Sequence, residues 1–167
     1  MLQDHLTNIQ PATPEQDVDL LRLRAAGRQL AKSWRVAEPD RKAVRQLAGK
    51  AREIRQRTKI LLRPPALRGT DAAWFLDNYR LILTALKDTR QFAASFGEYR
   101  ASLDNPEPAP CIVARGYLSA AMDFFSEAGL IAFVEGFQEL EVLEMSELWA
   151  LKPALQFLLV DRIAGAV

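Results

Sequence analysis

Residues 144–163, EMSELWALKPALQFLLVDRI, constrain the fold of this chain more than any other stretch. Apolar side chains recur at Met145, Leu148, Trp149, Leu151, Leu155, Leu158, Leu159 and Ile163. The steps are mostly of three and four residues, so the spacing predicts a helix with one wide stripe facing inward. Ser146 can cap its start, with Glu147 in the first turn, where the helix dipole favours a negative charge. Pro153 cannot donate a backbone N–H and clashes with the preceding turn, which predicts a kink or a restart near Lys152. A helix this apolar needs other helices to cover it.

The rest of the chain can supply them. Apolar residues make up 49% of the sequence, enough for a sizeable core. Val, Ile, Thr and Tyr are too sparse for a sheet protein. The expected class is all-α, with about six helices packed as an irregular bundle of helical hairpins. Thr13-Pro14-Glu15-Gln16 reads as a capped helix start, and that helix runs to about Val36. The second, about 40–63, places Val44, Leu47, Ala51, Ile54, Thr58 and Leu61 on a seam suited to an antiparallel hairpin with the first. Thr70 caps a third helix, about 71–95, that Gly97 stops. After a proline-rich loop, a fourth helix covers about 111–125. Ser126 caps a fifth, about 127–141. The expected organisation is a flexible leader over 1–12, a basic helical hairpin over 13–66 and a four-helix portion over 67–167.

Charge is unevenly spread. Residues 1–103 hold 19 Lys/Arg and 11 Asp/Glu, and residues 104–167 hold 3 and 10. Such asymmetry implies either two halves that attract one another or a basic half that meets an anionic surface. The basic residues concentrate on the second helix, where Arg45, Lys50, Arg52, Arg55, Arg57 and Lys59 are candidate contacts for an anionic partner. That helix has no interleaved aromatics, which disfavours nucleic acid, and it lacks the apolar bulk of an interfacial anchor.

Little in the sequence advertises catalysis. Asp17-Val18-Asp19 fits a loose metal-binding D-x-D pattern, but both acids fall in the first turns of a helix, where they stabilise the dipole. His5 is the single histidine, so no histidine-dependent triad or zinc site can be built. Cys111, the single cysteine, reads as an inert packed thiol. The glycines are too dispersed for a phosphate loop. Asp77 and Asn78 in an apolar helix, and Glu147 beside Trp149, read as structural polar locks. An unpaired buried group costs roughly 1–3 kcal/mol, and for Asp77 and Asn78 a partner can come from Arg80, Arg100 or a helix end. The expectation is a chain with no catalytic residue, metal or cofactor of its own. No stretch is apolar enough to predict a membrane span.

Trp74-Phe75-Leu76-Asp77-Asn78-Tyr79-Arg80-Leu81-Ile82 resembles the W-L-L-D-N-[FY]-x-[LV]-I segment of the cyclic β-1,2-glucan synthase family. Gly97-Glu98-Tyr99-Arg100 is similar to that family's G-Y-Y-R, and Glu147-Leu148-Trp149-Ala150-Leu151 matches its E-L-W-A-L. Leu158 to Ile163 resembles the L-x-x-x-N-L helix that follows, although Asp161-Arg162 replaces the usual Glu-Asn pair. The likeness covers roughly residues 70–165. It implies a bacterial, cytoplasmic, non-catalytic helical region preceding a membrane-embedded glycosyltransferase, at the inner face of the inner membrane. The implied partners are the downstream glycosyltransferase and phosphorylase-like modules of a longer polypeptide, with glucan and the anionic membrane surface as further candidates. Asp77, Asn78, Arg100, Glu147, Leu148 and Trp149 would be structural motif residues. Trp74, Tyr79, Tyr99 and Trp149 are candidate glucan contacts, since aromatic faces suit sugar rings; their alternative role is core packing. The competing reading is a stand-alone interaction module whose basic helix over 40–63 binds a protein, anionic lipid or nucleic acid.

Overall fold

The computed structural model describes residues 14–61, 78–122 and 124–166. They form six α-helices: α1 Pro14–Lys32, α2 Arg41–Leu61, α3 Tyr79–Ala94, α4 Ala109–Ala120, α5 Glu127–Gln138 and α6 Met145–Ala166. Two short strands, β1 Val36–Ala37 and β2 Ala101–Ser102, pair antiparallel with Val36 opposite Ser102. A 3-10 turn, Phe96–Glu98, follows α3. The class is all-α, as the composition and periodicity predict. The leader and the Thr70 cap lie outside the described residues.

Helix α6 is the centre, packing against α2, α3 and α4. It runs as one helix through Pro153, so of the expected kink or restart the restart does not occur. Proline in a helix interior costs about 3 kcal/mol. Burying one Leu or Phe side chain returns roughly 1.5–3 kcal/mol. Helix α6 buries Leu151, Leu155, Phe157 and Leu158, so packing outweighs the proline. The inward face runs Glu147, Ala150, Leu151, Ala154, Leu155, Leu158. Trp149 stands about 200° round the helix from Glu147 at 100° per residue, so it points away from the core. It is 77% exposed and Met145 is 60% exposed, whereas the spacing alone put both inside. The cap also differs from expectation. Glu144 precedes the helix, and the Glu147 carboxylate accepts from the Glu144 N–H at 2.9 Å. That is the back-reaching half of a capping box.

Helix α1 packs mainly on α5, with further contact to α4. The expected hairpin of α1 with α2 does not form in that way: the seam of α2, with Leu47, Ala51 and Ile54 buried, faces α3 and α6. Two glycines explain the choice. A β-carbon at Gly27 would lie 1.9 Å from the Phe133 carbonyl oxygen, and one at Gly136 would lie 1.9 Å from that of Arg24. The two backbones cross at a separation that any side chain would prevent. Trp34 closes the end of this crossing edge-on to Phe137, ring centres 5.4 Å apart.

Helix α4 stops at Ala120, short of the predicted 125, in a turn where Met122 takes a left-handed φ of 49°. The buried Tyr117 hydroxyl spans this turn. It accepts from the Ser126 N–H at 2.8 Å and donates to the Ser126 carbonyl at 2.9 Å. Ser126 is thereby held as the cap of α5, its Oγ accepting from the Gly129 N–H at 3.0 Å.

The charge asymmetry is resolved within the fold. Arg24 and Arg28 meet Glu139, Arg24 also meets Glu135, Lys50 meets Asp161, and Arg100 meets Glu141, Glu144 and Glu147. Each of these pairs joins the basic half to the acidic half, so the two halves attract one another.

Candidate functional site

Two of the motifs quoted above meet in space. Arg100 follows the 3-10 turn, and Glu147 lies in the first turn of α6. The Arg100 Nε donates to Glu147 Oε1 at 3.0 Å and its NH2 to Oε2 at 2.7 Å, a bidentate pair. The same guanidinium donates to Glu141 at 3.2 Å and to the Val142 carbonyl at 2.7 Å. Glu147 is 1% exposed. Its charge is tolerated there because two guanidinium donors and the Glu144 N–H use its lone pairs. The Glu147 contact chiefly, with Glu144 and Glu141 adding, holds the Arg100 guanidinium even above its usual basicity. This cluster ties the 3-10 turn, the loop after α5 and the start of α6 into one unit.

On the outer side of that unit is an open groove of about 380 Å³, within the roughly 300–1,000 Å³ typical of ligand clefts. Tyr99 and Trp149 stand in its walls. Its polar lining comes from Asp88, Gln91, Ser95, Ser146, Lys152 and Gln156. Tyr99 is backed by Phe92, ring centres 5.8 Å apart. Burial above all, with the Glu98 charge adding, raises the Tyr99 phenol above its ordinary range, so it is a neutral donor and acceptor at physiological pH. Gln156 Oε1 is buried with no hydrogen-bond partner among the described residues. Pro153, also in the lining, has no N–H to give the Trp149 carbonyl four residues earlier. The groove therefore pairs a solvent-facing indole with both donors and acceptors. Chemically it can stack a flat apolar face and hydrogen-bond a hydroxylated rim.

The other candidates fall elsewhere. Trp74 and Asp77, and the side chain of Tyr79, lie outside the described residues. Asn78 precedes α3, and its carbonyl accepts from the Ile82 N–H at 3.0 Å. Leu148 is half-buried against the core. On α2, Lys50 is engaged by Asp161 and Arg57 by Glu53. Arg45 lines a separate hollow with Glu38, Arg41 and Gly97. Arg52 and Arg55 line a groove between α2 and α3, joined by Arg90, which sequence reasoning did not single out. The Lys59 side chain lies outside the described residues. Cys111 is fully buried, and burial pushes its thiol up to about 12, which removes it as a nucleophile. Asp19 is exposed beside Arg22 at 3.5 Å, and the Asp17 side chain lies outside the described residues. Among the described residues no helix is long and apolar enough to cross a membrane.

Comparison with known proteins gives a partial match. Over 96 residues, 55% of this chain, the sequence is 31% identical to the cyclic beta-(1,2)-glucan synthase NdvB of Rhizobium meliloti (strain 1021). The match spans 3% of that protein's length, so the likeness is to a small part of a much larger synthase. It is a distant and partial relationship, and it marks this chain as similar to a glycosyltransferase-related region. No family model and no solved structure matches the chain.

Proposed function

We propose that this chain is a non-catalytic helical accessory region of a cyclic β-glucan synthase-like glycosyltransferase, which holds glucan beside the catalytic modules at the cytoplasmic face of the membrane. The observation that carries this reading is the groove formed by Tyr99 and Trp149. An indole that is 77% exposed has no packing role to explain it, and it stands beside a tyrosine, two glutamines and an aspartate. A pyranose presents an apolar C–H face and a ring of hydroxyls, and this surface complements both. The Arg100–Glu147 pair supports the assignment from beneath, because a stacking site needs walls fixed relative to one another. The similarity to part of NdvB supports a β-1,2-linked glucan as the polymer.

The test is calorimetric titration of the chain with linear β-1,2-glucan oligosaccharides, using β-1,4-linked ones as the control. Trp149→Ala should weaken binding by about tenfold or more, the loss of roughly 1–3 kcal/mol expected for an aromatic platform. Its melting temperature should not change, since the side chain covers no core. Equal binding by the wild type and Trp149→Ala would remove the groove from the account.

A further inference from the structure

A second groove lies between α2 and α3. Its floor is made of small residues, Ala48 and Ala51 from α2 and Ala93 and Ala94 from α3, with Leu86 beside them. Its walls carry Arg52 and Arg55 from α2 and Arg90 from α3, around a volume of about 400 Å³. Among the described residues no carboxylate lines it. Arg52 donates its Nε to the Ala48 carbonyl at 3.3 Å, a long contact that leaves its terminal nitrogens to other partners. Among the described residues no ion pair engages Arg52, Arg55 or Arg90. Arg22, Arg24, Arg28, Arg57, Arg100 and Arg115 each have a carboxylate, whereas Arg35, Arg41, Arg45 and Arg80 share with the groove's three the lack of an ion pair among the described residues.

Three arginines line this one concavity, and among the described residues no carboxylate in its lining offsets their charge. Arg52 and Arg90 are exposed and Arg55 is half-buried, so the three rim an open groove to which two helices contribute, and the small alanine side chains leave room between them. Guanidinium forks match the oxygens of a phosphate two at a time. The alanine and leucine floor suits a less polar portion attached to it.

We infer that Arg52, Arg55 and Arg90 form a binding site for a phosphate group, carried by a soluble phosphate ester or by a phospholipid headgroup. The site is separate from the Tyr99–Trp149 groove and does not depend on glucan binding.

The experiment compares two double variants with the same change of charge. Arg55→Gln with Arg90→Gln removes two of the three charges in the groove; Arg41→Gln with Arg45→Gln removes as much charge from α2 outside it. Each is titrated with inorganic phosphate, and each is floated with vesicles of equal parts phosphatidylglycerol and phosphatidylcholine. The groove pair should weaken binding by about tenfold or more, and the control pair by less than about threefold. Loss in the phosphate arm identifies a soluble ester as the source, and loss in the vesicle arm alone identifies a lipid headgroup. Equal loss in both pairs means a diffuse basic face and overturns the site, as does no binding to either probe. Should the groove pair fail to melt cooperatively, Arg90→Lys replaces it. The retained charge preserves the fold while the lost fork still lowers phosphate affinity; an unchanged affinity would contradict the inference.

Discussion

Glu139 and Glu147 are each met by arginine from the basic half of the chain, yet the two clusters play different parts. Glu139 receives Arg24 at 2.7 Å and also Arg28, and all three side chains are substantially exposed, at 28% to 46%. Glu147 receives Arg100 at a similar distance with 1% of its surface exposed. Water screens the first cluster, and exposed pairs contribute little. The α1–α5 crossing it borders is held by backbone contact at Gly27 and Gly136, with the ion pairs fixing its register. At Glu147 the contact itself is structural, because removing one partner strands the other in the core. The same attraction between halves serves as trim in one region and as a joint in the other. The joint is the one beneath the candidate sugar groove.

The sharpest way to break this contrast is Arg100→Ala. It should destabilise the fold by about 3–5 kcal/mol, measured by urea denaturation, because Glu147 loses its bidentate partner. A cost near that of an exposed pair would place Glu147 in water and dissolve the distinction. Next in size is Gly136→Ala, expected to cost about 3 kcal/mol by overpacking against the Arg24 backbone. An unchanged melting temperature would mean that α1 and α5 can separate freely. The smallest effect belongs to Glu139. The hydrogen bond from Arg24, with help from Arg28, holds its carboxyl below the usual carboxylate range. Its contribution is therefore present above the unfolded carboxylate pKa and lost as pH falls through the lower folded value. The difference in melting temperature between wild type and Glu139→Gln should be small at neutral pH and shrink to nothing as acidification protonates the carboxylate. A difference that grows on acidification would have the wrong sign.

Much of the fold was legible because helices announce themselves locally. The Ser126 cap, the apolar seam of α2 and the central position of the 144–163 stretch all follow from spacing and residue type. What was not legible depends on partners distant in sequence. Gly27 and Gly136 carry no signal alone; only their apposition explains why α1 leaves α2 for α5. Pro153 reads as a break until α2, α3 and α4 are known to bury the helix around it. Trp149 looks like core in an apolar run. Its outward direction follows only once Glu147, two residues earlier, is known to face inward towards Arg100. At the candidate sites, Tyr99, Arg100, Glu147 and Trp149 could be named beforehand, but their convergence could not. Arg90 was invisible because its partners Arg52 and Arg55 sit on another helix.

Hydrogen–deuterium exchange of the chain with and without β-1,2-glucan oligosaccharide asks whether glucan occupies the groove walled by Tyr99 and Trp149. Binding there slows exchange at the amides around Ser95–Tyr99 and Ser146–Gln156 and leaves the α1–α5 crossing unaffected. Protection elsewhere, or none at saturating oligosaccharide, would rule the groove out as the glucan site.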